Sequence, residues 1–366
     1  NNHTVVSLDT CILQNQRFNL QHHLYQRLAE LSHRGVRLVL AEVVYREIIQ
    51  HMAKEMEKIH KSLAKDLSLA ASYFADDESV AQKMTTSFKN AHDFVAVAKK
   101  RTDEYLQKCN GTVLKTDELI QTGQILDLYF DAKPPFEPTG KKRNEFKDAI
   151  ALKTLESFAT QWEKKVYIAS ADAGWQAFCD SSDLLECMLL PELLDHIQRQ
   201  SGEYENFISQ ISSQLFDCNS AFYQNVERHF ARAITDFSPD VKASTAFYYN
   251  ETVSSVTLHS LHIPQGNINI IDINAAGCTL SVPVQAELVA KIRIDIYPTE
   301  NDWLDDATLI GTVKRTGKVD FIGTIEIVLK GDWQKGFEKM TLDEVIYDYN
   351  YSHRFTLDLG EVDGLI

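Results

Sequence analysis

No uninterrupted apolar stretch approaches the roughly 20 residues that a membrane helix needs, although 44% of the 366 residues are hydrophobic. Cysteine pairing is missing too. Cys11, Cys109, Cys179, Cys187, Cys218 and Cys278 stand singly, without a CxxC or a small-domain disulfide framework, so reduced and mostly buried thiols are expected. The opening NNHTVVSLDT lacks the charged-then-apolar layout of a signal peptide, and the expected location is the cytoplasm. Without GxxxxGK[ST], GxGxxG or GxSxG there is no support for nucleotide-cradling loops or serine-hydrolase chemistry. The twelve histidines form neither HExxH nor a His/Cys cluster of zinc spacing. Basic residues are outnumbered, 37 Lys and Arg against 52 Asp and Glu, and the net charge of −15 means that any contact with a polyanion has to be local.

What is present divides in two. Up to about residue 200, short β-like runs alternate with helical stretches, the pattern of an α/β domain with a largely parallel sheet. The spacing predicts strands at Thr4 to Leu8, Val36 to Leu40, Val166 to Ala169 and Glu186 to Leu189. Helices are predicted near 19–33, 42–74, 85–108, 117–131, 144–162 and 191–199. The long pair, rich in good helix formers and free of Gly and Pro, reads as a helical insertion at about 51–140. DAKPPFEPTGKKRNEF holds three of the eight prolines and reads as a loop. Its Lys141-Lys142-Arg143 triplet suits a solvated loop end or, beside a phosphodiester site, a substrate-phosphate contact.

A helical connector is expected over 201–240. Residues 241–366 alternate apolar and polar residues in runs rich in Val, Ile, Thr and Tyr, predicting a mainly antiparallel β domain, a sandwich or small barrel. Its aromatics Phe247, Tyr248, Tyr249, Tyr347, Tyr349 and Tyr351 fit sheet packing better than base stacking, which also needs basic neighbours.

Four carboxylates occupy places where α/β folds build sites, at strand ends and first helical turns. Asp9 follows the first strand. Glu47 lies on the helix after the second strand, with Glu42 earlier on that helix. Asp148 opens a later helix, three residues after Glu145 and on the same face, and Asp172 follows VYIAS. Each also suits a plainer role, Asp9 and Asp172 as helix caps, Asp148 as a first-turn acid and Glu47 as a surface residue. Convergence of such acids is costly unless a cation sits among them. Oxygen-only donors suit Mg²⁺ or Mn²⁺ and water attack on a phosphodiester.

VVSLDTCIL, LAEVVYREI, EFKDAIAL and VYIASADAGW, in that order, resemble the four motifs of the PIN-domain nucleases, in particular the larger PIN-like group with a helical insertion and a C-terminal extension. The resemblance covers about residues 4–198. It implies a metal site of Asp9, Glu47, Asp148 and Asp172, with Ser170 as the hydroxyl of the turn and Thr10 beside the first ligand. Glu145 and Glu42 stand as further candidates. It also implies a nucleic-acid substrate, RNA favoured over DNA, and a toxin- or defence-type endoribonuclease. The sequence departs from the pattern at Ala171 and Ala173-Gly174, where many members carry polar residues. A strand-end Asp also opens the haloacid-dehalogenase phosphatases, but Cys11 stands where their second Asp belongs. The alternative from another class is a non-catalytic PIN-like binding or assembly protein, acting through a partner or self-association of its β domain.

Overall fold

The computed structural model describes residues 4–74, 93–137, 145–199, 204–245, 247–266, 268–297, 309–347 and 355–362. Lys141, Lys142 and Arg143, and the aromatics Tyr349 and Tyr351, lie outside the described residues. The chain divides into two compact units, Asn1–Ile197 and Gln198–Ile366.

The first unit starts with β1 (Thr4–Leu8), α1 (Thr10–Asn15) and α2 (His23–Glu30), followed by β2 (Val36–Ala41), α3 (Glu42–Phe74) and α4 (Phe94–Lys108). Then come β3 (Thr112–Leu114), α5 (Thr116–Leu119), α6 (Thr122–Phe130), α7 (Phe146–Trp162), β4 (Val166–Ala169), α8 (Ala173–Cys179), β5 (Leu185–Met188) and α9 (Leu190–Arg199). The strands form one parallel sheet in the order β3-β2-β1-β4-β5. Such a sheet is covered on both faces, so its strands read as continuous apolar runs. Val5, Val6, Leu8, Leu38, Val39 and Leu40 are accordingly buried. The long helices α3 and α4 lie between β2 and β3, and β3, a strand of the parallel sheet, falls inside the span of about 51–140 expected as a helical insertion.

Strand order fixes the site. β1 lies between β2 and β4, so chain direction through the sheet reverses beside it, and the crevice beyond the carboxyl ends of such strands is where open α/β sheets bind ligands. Leu8 pairs with Ala169 in the β1–β4 register. The next residues, Asp9 and Ser170, therefore leave the sheet side by side.

The second unit holds α10 (Glu205–Leu215), α11 (Ala221–Ala233), β6 (Asp240–Ser244), β7 (Tyr248–His262) and β8 (Asn269–Asn274). It continues with β9 (Gly277–Tyr297), β10 (Gly311–Lys330), β11 (Thr341–Tyr347) and β12 (Thr356–Glu361). β11, β10, β9 and β7 are neighbours in one antiparallel sheet, with β8 also on β9, while β12 and β6 make a two-stranded parallel pair. Every even-numbered residue of β9 from Leu280 to Ile296 is buried, the period-2 signature of a half-covered sheet. Phe207, Ile211 and Leu215 of α10 and Val226 and Phe230 of α11 belong to the same core as these strand residues. Tyr249 and Tyr347 pack against that core, whereas Phe247 and Tyr248 are exposed.

Candidate metal centre

Asp9 caps α1, its Oδ1 accepting the Cys11 N–H at 3.4 Å. Its Oδ2 accepts from Ser170 Oγ at 2.6 Å, and Ser170 Oγ accepts the Asp172 N–H at 3.0 Å. Asp172 caps α8 in turn, with Oδ1 taking the N–H groups of Gly174 at 2.6 Å and Trp175 at 3.3 Å. The cap geometry expected of these two acids and their convergence thus come from one structure. Each helix start both satisfies its own backbone and holds a carboxylate at the sheet edge.

Asp9 is only 5% exposed, and burial raises its pKa; the Cys11 and Ser170 hydrogen bonds oppose the rise and the Asp172 charge adds to it. Cys11, also at this turn, is pushed up to about 12 by burial and then by Asp9, so its thiol is inert near neutrality.

Asp148 enters from the first turn of α7. Burial pushes it up to about 7; a hydrogen bond from the Trp175 side chain opposes this, while Glu145 and the charge of Asp9 reinforce it. The Glu145–Asp148 hydrogen bond joins two carboxyls and so needs a proton on one of them. Glu145, at the N-cap of α7, is therefore a direct neighbour of Asp148, as their shared face predicts.

Glu47 reaches the group from α3. Thr10 Oγ1, next to Asp9 in sequence, donates to Glu47 Oε2 at 3.3 Å, and Lys147 Nζ lies 2.6 Å from Glu47 Oε1. Glu42 goes elsewhere. It pairs with Arg46 at 2.5 Å and Lys115 at 3.2 Å, which hold its carboxyl below the usual range. There it lines a separate cleft with Thr116, Ile120, Ile125 and Phe146. The structure thus brings together Asp9, Thr10, Ser170, Asp172, Asp148 and Glu145, links Glu47 to them through Thr10, and leaves Glu42 apart.

Two neighbours had no place among the sequence candidates. Trp175 is 1% exposed, and a buried indole needs an acceptor, which is the signal that could have paired it with an acid. Lys147 is a cation in a first helical turn, where the helix dipole favours anions.

The donor set is oxygen-rich and anionic: the Asp172 charge makes Asp9 harder to ionise, the Asp9 charge does the same to Asp148, and Lys147 is the cation that feels Asp148. That chemistry fits a hard dication such as Mg²⁺ or Mn²⁺. Among the described residues, however, no three His, Cys, Asp or Glu side chains are already gathered as a ligand group. The acids are neighbours joined by hydrogen-bonded turns, not a preformed cage.

A parallel five-stranded α/β domain with acids from β1, α3, α7 and the β4 turn at one sheet edge is a nuclease-type fold. Residues 6–175 match the family model of the PIN domain, and the first unit of the chain is a PIN domain. The matched span contains Asp9, Glu47, Asp148 and Asp172, and it leaves the second unit outside. PIN domains are typically nucleases, and such nucleases generally use divalent metals. Comparison with curated proteins and with solved structures finds no match. No helix among the described residues is long and apolar enough to cross a membrane.

Proposed function

We propose that the chain is a Mg²⁺- or Mn²⁺-dependent endonuclease acting on RNA in preference to DNA, of toxin or defence type, working in the cytoplasm. Asp9, Glu47, Asp148 and Asp172 are its metal-holding acids. The observation that supports this best is the position of Asp9. It is buried at the carboxyl end of the central strand, bonded to Ser170 and within charge range of Asp148 and Asp172. A dication bound there would lower the pKa of a water molecule and polarise a phosphoryl oxygen.

The chain's own residues do the positioning. Ser170 and the Cys11 N–H fix the two oxygens of Asp9, Thr10 orients Glu47, and Trp175 holds Asp148. Asp148 is also the group placed to keep or release a proton near neutrality. Lys141, Lys142 and Arg143 are proposed to hold substrate phosphate. The domain plan is proposed as a nuclease part to about residue 200, a helical link over 201–240 and a β-rich part beyond, the last for a partner or self-association.

The second reading, a PIN scaffold that binds without cutting, draws on the engagement of Glu47 by Lys147. One assay separates the two. Labelled single-stranded RNA, tRNA and DNA are incubated with Mn²⁺ or EDTA and with wild type, Asp9→Asn or Asp148→Asn. Cleavage that needs Mn²⁺ and is lost in both variants is expected; no metal-dependent cleavage of any substrate, or cleavage indifferent to both substitutions, rejects the nuclease reading.

A further inference from the structure

Lys147 is the second residue of α7, immediately before Asp148. The dipole of a helix start disfavours a cation there. Even so, the ammonium meets Glu47 Oε1 across 100 residues of chain, while Thr10 takes the other oxygen. Glu47 keeps 17% of its side-chain exposure and Lys147 keeps 65%. The lysine therefore closes an enclosed acid from the solvent side. It has a flexible four-carbon stem and three donors that rotate freely, so it can leave without disturbing α7.

We propose that Lys147 is a tethered counter-ion of the acidic site: it holds Glu47 until a dication claims that carboxylate, and once released it offers its ammonium to a phosphate of the RNA strand. The inference rests on the nuclease reading above. It accounts for a basic residue at a helix start and for an acid bonded to lysine where a metal ligand is expected. Exchange is feasible because an ion pair whose lysine stays largely in water is weak, whereas a dication gains several oxygen donors at once. Lys147 is in this sense a positioning residue before metal binding and a substrate contact after it.

The test uses the full chain as wild type, Lys147→Met and Lys147→Arg, each checked for folding by circular dichroism. Mn²⁺ affinity is measured by electron paramagnetic resonance of the free ion. Lys147→Met is expected to bind Mn²⁺ up to about fivefold more tightly than wild type, the fold-change that losing a weak competing ion pair allows, and Lys147→Arg to behave as wild type. Binding of single-stranded RNA is then measured with Ca²⁺ in place of Mn²⁺ at several salt concentrations. The log–log salt slope is expected to be smaller by about 0.7 in Lys147→Met, the loss of one phosphate contact on a single strand.

Saturable Mn²⁺ binding by wild type with equal or weaker binding by Lys147→Met overturns the inference and leaves the nuclease reading standing. A Lys147→Arg protein that matches Lys147→Met, or an unchanged RNA slope, overturns it as well. Wild type with no saturable Mn²⁺ binding sinks the reading and the inference together.

Discussion

Ser170 Oγ donates to Asp9 Oδ2 at 2.6 Å, joining residues 161 positions apart. The same hydroxyl accepts the Asp172 N–H, so one serine ties the end of β1 to the turn that leads into α8. Ser170→Ala removes both bonds and leaves a buried carboxylate poorly satisfied, at a cost of about 1–3 kcal/mol. Urea unfolding at pH 8 in EDTA should show a lower midpoint; a midpoint equal to wild type would remove Ser170 from this role.

Asp148 sets a pH dependence whose direction follows from its environment. In the folded protein it keeps its proton up to about pH 7, whereas in an unfolded chain it loses it near pH 4. Between those values the folded state binds more protons, so stability falls as pH rises through that window. In EDTA, the melting temperature of wild type should drop from pH 5 to pH 8. Asp148→Asn should flatten this slope and raise stability at pH 8 by about 1–2 kcal/mol, after discounting for the water that a half-buried carboxyl still meets. A variant that retains the full slope contradicts the assignment.

Trp175 lowers the pKa of Asp148 through its indole hydrogen bond. Trp175→Phe keeps most of the buried ring and loses the donor, so Asp148 should titrate higher by roughly 0.5–1 pH unit, the equivalent of about 1 kcal/mol. Carboxyl carbon chemical shifts followed by NMR in EDTA give the value directly. A downward shift would mean that the indole does not serve Asp148.

Gly277 lies where β9 and β10 begin their pairing, opposite Lys330. A Cβ there would lie 2.2 Å from the Leu329 carbonyl oxygen, backbone that cannot swing aside. Gly277→Ala should cost about 1–3 kcal/mol through overpacking of the strand pair. Thermal unfolding would show it as a lowered transition; full retention of stability would mean that the strands separate at little cost.

The β1 strand, β4, the 42–74 helix and the four acids are legible in the sequence because each announces itself locally, by an apolar run, helix formers without Gly or Pro, or a carboxylate at an element boundary. β3 has three residues and α1 six, too short for periodicity to register. The adjacency of β1 and β4 is a long-range pairing that no local pattern encodes. In the second unit, TLIGTVKR and KVDFIGTIEIVLKG suggest two strands, but Gly311–Lys330 is a single 20-residue strand. Gly317 does not break it: a Cβ there would lie 2.7 Å from a methyl carbon of Leu357, so the glycine admits a neighbouring side chain instead of a turn. Glu42 and Glu47 share a helix, and what separates them is which cations each one meets.

The Leu8–Ala169 register has a consequence in time as well as in space. Asp9 is synthesised 161 residues before Ser170, and the strand, hydroxyl and indole that complete its surroundings come only with residues 166–175. Through most of the synthesis of the first unit, the acids have no shared edge on which to assemble. A growing chain therefore cannot bring these acids side by side until the central seam of the sheet has closed.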